Sequence, residues 1–174
     1  MKIFKNIKYF LICFFVIIFE LTVGKYLEIS GTVPMLSFCL CLIIATKEEN
    51  LNYIITIGII MGALSDVFSG HGFGTNTVAF LLALIATYLL RNSIFSSTIL
   101  FIIFNTFILT MLYSVVYYVL HILNVGINFG TMITNIAIPT AIYNTIVSVI
   151  SYFILNLLCI KGGRDFVKAK TAFY

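Results

Sequence analysis

Two carboxylates lie inside long apolar runs, Glu20 in YFLICFFVIIFELTVG and Asp66 in LNYIITIGIIMGALSDVF, and they are the first candidates for chemistry. As a pair they could share proton-transfer work, but catalysis also needs a nucleophile, a base and an orienting group within reach. The two histidines, His71 and His121, both fall near predicted outer turns, and the two aspartates, Asp66 and Asp165, fall at opposite ends of the predicted topology. No such set can be assembled, so an enzyme is not expected. Metal binding needs several ligands together. His71 stands alone, and Cys13, Cys39, Cys41 and Cys159 are dispersed within apolar segments, where thiols behave as small apolar side chains. Gly70, Gly72 and Gly74 alternate, but without the preceding strand or the spacing of a dinucleotide-binding turn. No cofactor or metal is expected.

What remains is architecture around Asp66. Gly58, Gly62 and Asp66 are four residues apart, so they share one helix face. Glycines at that spacing admit a second helix at close range, and a carboxylate in mid-membrane costs roughly 2.5 to 3.5 kcal/mol on insertion scales. Asp66 must therefore look inward, where it is expected to accept N–H groups from the hairpin that contains Gly70 and Gly74. Ala79 and Ala83 on the following helix supply a small-residue stripe, the expected counterface for the two glycines. Glu20 has two readings: it faces the bundle, or it snorkels toward Lys25.

The elements that position these residues are membrane helices. A chain of 174 residues that is 61% hydrophobic and 9% charged cannot present a water-soluble surface. The net charge of +4 comes from lysines and arginines that flank apolar runs, which is a topology signal and argues against a nucleic-acid partner. Spans are predicted at 9–26, 33–47, 51–68, 75–91, 96–123 and 132–160, forming a single transmembrane domain with both termini cytoplasmic. The second span is short. Its apolar part, Val33 to Thr46, has fourteen residues, with Pro34 suited to a first helical turn capped by Ser30 or Thr32. If it crosses, nine of the ten basic residues lie on the cytoplasmic side and only Lys25 lies outside, so crossing is expected.

Two polar stripes follow. Thr106, Thr110, Tyr113 and Tyr117 recur at helical spacing in the fifth span beside Asn105, and Thr140, Asn144, Ser148 and Tyr152 recur in the sixth. They are expected to meet, as interhelical glue or as the walls of a lipid or small-ligand pocket. Pro139 should kink or split the last helix, since it lacks an N–H and crowds the preceding turn. The basic tail beyond Lys161 suits an anionic membrane surface.

Gly62-Ala-Leu-Ser-Asp66 followed by Gly70 and Gly74, then Ala86-Thr-Tyr88-Leu, then Pro139-Thr-Ala-Ile-Tyr143-Asn144, resembles the MreD family of bacterial rod shape-determining membrane proteins. The resemblance covers nearly the whole chain. It implies an all-α integral membrane protein in the inner membrane that supports lateral peptidoglycan synthesis without catalytic activity. The implied partners are MreC, MreB, RodA and a class B penicillin-binding transpeptidase, besides membrane lipids. Proteins of this kind are similar in helix arrangement to the substrate-binding subunits of energy-coupling-factor vitamin transporters, which is the alternative function. Those subunits commonly carry a small-xxx-small motif on the first helix, where this chain has bulky residues.

Overall fold

The computed structural model describes residues 2–28, 32–69, 74–91, 97–119 and 128–159, with side chains for all of these except 2–10, 13, 25, 69 and 157–159. The described backbone is helical throughout apart from short connections. Helix α1 (Lys2–Val23) runs into a 3-10 turn (Gly24–Leu27) and is followed by α2 (Leu36–Lys47), α3 (Leu51–Ser69), α4 (Thr75–Leu90) and α5 (Thr98–Tyr117). The last helix is interrupted: a short α6 (Phe129–Met132), a π-helical turn (Ile133–Ala137) and then α7 (Ile138–Cys159). Among the described residues three stretches are long and apolar enough to cross a membrane, Leu51–Phe68, Thr98–Tyr117 and Phe129–Asn156. Outward faces are as apolar as the core. Phe15, Val67 and Leu89 are 66%, 62% and 67% exposed, which suits lipid as the surrounding medium.

The centre of the bundle is α2. Every residue from Ser37 to Thr46 is buried, and the helix packs against α1, α3, α4, α5 and α7. A helix that is apolar all round has no face to give to water or lipid, so it is enclosed by its neighbours. One core cluster joins Phe38, Leu42 and Ala45 of α2 to Ile54 and Met61 of α3 and to Phe80 and Leu84 of α4. A second joins Leu40 and Ile43 to Ile102 of α5 and to Tyr152 and Leu155 of α7.

Several boundaries differ from those read off the sequence. The first helix begins at Lys2 instead of 9. The second begins at Leu36, so Pro34 precedes the helix, and its N-cap position, Met35, has no side-chain cap of its own. The fifth is regular to Tyr117 and continues as a π turn through 118 and 119, and residues 120–123 of the expected span lie outside the described residues. The disruption linked to Pro139 lies one turn upstream, as the π-helical segment Ile133–Ala137. Widening that turn relieves the clash between the proline ring and the preceding carbonyls, and the Thr140 hydroxyl donates to the Ile136 carbonyl at 2.6 Å.

Contacts at the helix ends fix their directions. The end of α1 meets the start of α2 through Glu20 and Ser37, and the end of α3 meets the start of α4 through Asp66 and Asn76. At the opposite end Lys47 of α2 reaches Asn156 of α7, and Arg91 after α4 reaches the Glu48 carbonyl. Successive long helices therefore alternate in direction.

Candidate functional site

Asp66 holds the start of α4. Its carboxylate accepts the backbone N–H of Gly74 at 2.9 Å, of Asn76 at 2.7 Å and of Thr77 at 3.1 Å, and the Thr77 hydroxyl at 2.6 Å. The first turn of a helix has N–H groups with no intrahelical acceptor, and here one carboxylate from the preceding helix satisfies three of them. Its negative charge also sits at the positive end of the α4 dipole. Neither Thr75 nor Asn76 caps this helix; the N-cap position is Gly74, at φ +106°, a left-handed conformation that glycine adopts without strain. Gly70 and His71 lie outside the described residues.

Gly62 makes the grip possible. A Cβ on it would stand 2.4 Å from the Thr77 Cα and 3.2 Å from the Asn76 carbonyl oxygen, so the two backbones touch where α4 begins. Gly58 is different. A Cβ there would meet the ends of two side chains, Leu84 Cδ1 at 2.9 Å and Leu81 Cδ2 at 3.1 Å. The alanine stripe is thus not the counterface of the glycines: Gly62 opposes the Asn76–Thr77 backbone and Gly58 opposes leucines. Ala79 and Ala83 are each 6% exposed, and Ala83 belongs to the core cluster around α2.

Asn144 is the second node. Fully buried on α7, it accepts the Met35 N–H through Oδ1 at 2.9 Å, donates from Nδ2 to Thr110 Oγ1 at 3.4 Å, and its carbonyl accepts from Cys39 Sγ at 3.4 Å. Glu20 completes the start of α2 by accepting the Ser37 N–H at 2.8 Å. Of its two readings, Glu20 therefore faces the bundle. The two carboxylates do not form an acid pair. Each is committed to a different helix N-terminus, Glu20 to α2 and Asp66 to α4.

The polar stripes of α5 and α7 meet through the Thr110–Asn144 hydrogen bond, and Tyr113, Tyr117 and Thr140 line one cavity. Elsewhere α5 turns to α4: Asn105 Nδ2 donates to Thr87 Oγ1 at 2.9 Å, and the Tyr113 hydroxyl donates to the Asn76 side chain. Ser148, buried on α7, donates back to the Thr145 carbonyl of its own helix at 2.8 Å, and Tyr152 lies under the Lys47 ammonium, 4.7 Å from ring centroid to nitrogen. Tyr143 ties the last helix to the first connection by donating to the Leu27 carbonyl at 2.8 Å. Pro139 is half-buried at the start of α7.

Between these nodes lies a cavity of about 580 Å³. Its walls come from α1, the 33–35 connection, the starts of α2 and α4, α3, α5 and the α6–α7 break, and its polar groups include Glu20, Ser37, Ser65, Asn76 and Tyr113. Among the described residues, no group of three or more His, Cys, Asp or Glu side chains is placed to hold a metal ion.

A family model described as rod shape-determining protein MreD matches residues 3–161. The chain belongs to the MreD family. A comparison with curated proteins finds no match, and one with solved structures finds none either. MreD membership makes this a membrane protein with a role in rod-shape determination. The matched range takes in both nodes, so the Asp66 and Asn144 geometry belongs to the part of the chain that the MreD model describes. In this MreD chain sequence reasoning offers Asn76 only as a possible cap of its own helix and misses Thr77 and Ser37, whereas the backbone N–H groups of all three are partners of the two acids. The signal for Asn76 and Thr77 was present: a polar G-T-N-T run opening an apolar helix, one hairpin after an inward-facing acid.

Proposed function

We propose that this chain is a non-enzymatic scaffold subunit of the cell-elongation machinery, which maintains rod shape by organising lateral peptidoglycan synthesis. The observation that carries this reading is the match to the rod shape-determining family across residues 3–161. In the proposed mechanism, α3 and α4 act as one unit, locked by Asp66 and Gly62, and offer a fixed lipid-embedded surface to partner membrane helices. MreC, MreB, RodA and a class B penicillin-binding transpeptidase are the proposed partners. Six membrane crossings in one domain, with both termini on the cytoplasmic side of the inner membrane, are part of the same proposal. Alternating helix directions and the position of the basic residues support them.

The alternative, a substrate-binding subunit of a vitamin transporter, has one observation in its favour, the cavity beside Glu20. Against it, α1 exposes Leu11, Phe14, Phe15, Ile18 and Phe19 where a docking face of small residues would be needed. Depletion separates the two. A shape scaffold predicts loss of rod form with mislocalised wall synthesis. Unchanged shape, with vitamin auxotrophy relieved by high external vitamin, would overturn the scaffold reading.

A further inference from the structure

The cavity has a composition that selects a ligand by charge. Its volume, about 580 Å³, falls in the range of pockets that enclose small molecules, and at ~30 Å³ per water it corresponds to about twenty waters. One side is apolar, with Ile17, Leu21, Val33, Phe68 and Met132. The other is polar, with Glu20, Ser37, Ser65, Asn76 and Tyr113, and among the described residues no lysine, arginine or histidine lines it. Among the described lining residues an anionic ligand would meet a carboxylate and no compensating cation, and a purely apolar one would strip water from Glu20 without replacing its hydrogen bonds.

Glu20 also has capacity left over for a ligand. Ser37 supplies it with a backbone N–H, to Oε2 at 2.8 Å, and with its side-chain hydroxyl, whereas a carboxylate offers two oxygens and about four lone-pair sites. The irregular backbone before α2 adds a second reason for a built site. Unwound chain at membrane depth is tolerated where it is buried in protein or lines a cavity, and Val33 and Met35 of that connection do line this one.

We propose that this cavity binds an amphiphile with an ammonium group, which Glu20 receives by charge-assisted hydrogen bonding while the apolar body lies along α1, α3 and the α6–α7 break. The site is independent of the scaffold role and is tested without reference to cell shape. The ammonium can come from a soluble alkylamine or from an aminolipid headgroup, and the experiment has an arm for each.

Thermal unfolding of the purified full-length chain in maltoside micelles, followed by tyrosine fluorescence, is compared with hexylammonium against hexanol and with phosphatidylethanolamine against phosphatidylglycerol. The amine member of at least one pair should raise Tm with an apparent affinity about tenfold or more above its partner, as one shielded charge-assisted contact supplies. Glu20→Gln should abolish the difference. Its amide oxygen still accepts the Ser37 N–H, so the start of α2 is kept while the charge is lost. Ile136→Trp, which fills the cavity from the opposite wall, should abolish it too and serves if the first variant does not fold. A response to hexylammonium alone supports a soluble amine, and one to phosphatidylethanolamine alone supports a lipid. Equal responses within both pairs, or a difference that survives in both variants, overturns the proposal.

Discussion

At the scale of single residues, Asp66 is a helix cap delivered from another helix. Three backbone N–H groups and one hydroxyl point at one carboxylate, so its removal leaves several donors unsatisfied at once. Each buried orphan costs about 1–3 kcal/mol, and Asp66→Leu is therefore expected to lower stability by several kcal/mol in detergent unfolding. Asp66→Asn keeps one acceptor oxygen and should lie between Leu and wild type; an Asn variant no better than Leu would mean that charge, not hydrogen bonding, dominates. The glycines give a sharper contrast. At Gly62 a methyl group meets the Thr77 backbone at 2.4 Å, which cannot move without shifting α4, so Gly62→Ala should cost roughly 1–3 kcal/mol or more. At Gly58 the same methyl meets leucine side-chain ends, and the ~1 kcal/mol gain in helix propensity offsets their adjustment. Gly58→Ala should leave Tm nearly unchanged. Sequence spacing put both glycines on one face with Asp66, and it could not tell them apart. Which one touches backbone depends on where α4 starts along α3, and that is a tertiary quantity.

At the scale of elements, the helix that matters most for the fold was the least legible. The second apolar run is short, has almost no amphipathic pattern and was placed by counting charges on either side. That weakness as a sequence signal is what marks it in the structure: α2 is surrounded by five helices and so needs no polar face. Twelve residues at ~1.5 Å each give about 18 Å, less than the ~30 Å of hydrocarbon, so α2 begins inside the bundle and its first N–H groups need acceptors there. Asn144 and Glu20 provide them. The polar stripe containing Asn144 was readable from four-residue spacing, but its main partner, the backbone of residue 35, was not, because a backbone N–H carries no sequence signal. Asn144→Leu should leave the Met35 N–H unpaired and speed hydrogen exchange over residues 35–39, with a loss of about 1–3 kcal/mol. Thr110→Val removes only the 3.4 Å contact and should do much less. Equal protection in both variants would mean that α2 is held by packing alone.

At the scale of the whole molecule, the two ends of the bundle differ in chemistry. One carries Glu20, Asp66, the cavity and the helix N-termini that the acids hold. The other carries Lys47, packed on Tyr152 and bonded to Asn156, and Arg91, which lies 4.2 Å from the Tyr88 ring centroid and reaches the Glu48 carbonyl. Positive charge collects at the end that enters the cytoplasm, so the basic end is the proposed inner one. The proposed function follows the same division, since it sets lateral wall growth outside and the proposed cytoskeletal partner inside. A strain whose only copy carries Asp66→Leu at wild-type protein level should lose its rod form, whereas Lys168→Ala with Lys170→Ala should leave shape intact. The proposed six crossings make a separate prediction for single cysteines introduced at exposed connections. Glu28→Cys and Asn128→Cys should react with a membrane-impermeant maleimide on intact cells, and Asn50→Cys should react only after permeabilisation. Cys39 and Cys41 are buried, and the labelling is done in a background in which Cys13 and Cys159 are replaced by serine. Labelling of Asn50→Cys from outside would mean that α2 turns back within the bilayer, and the charge argument for the whole topology would fail with it.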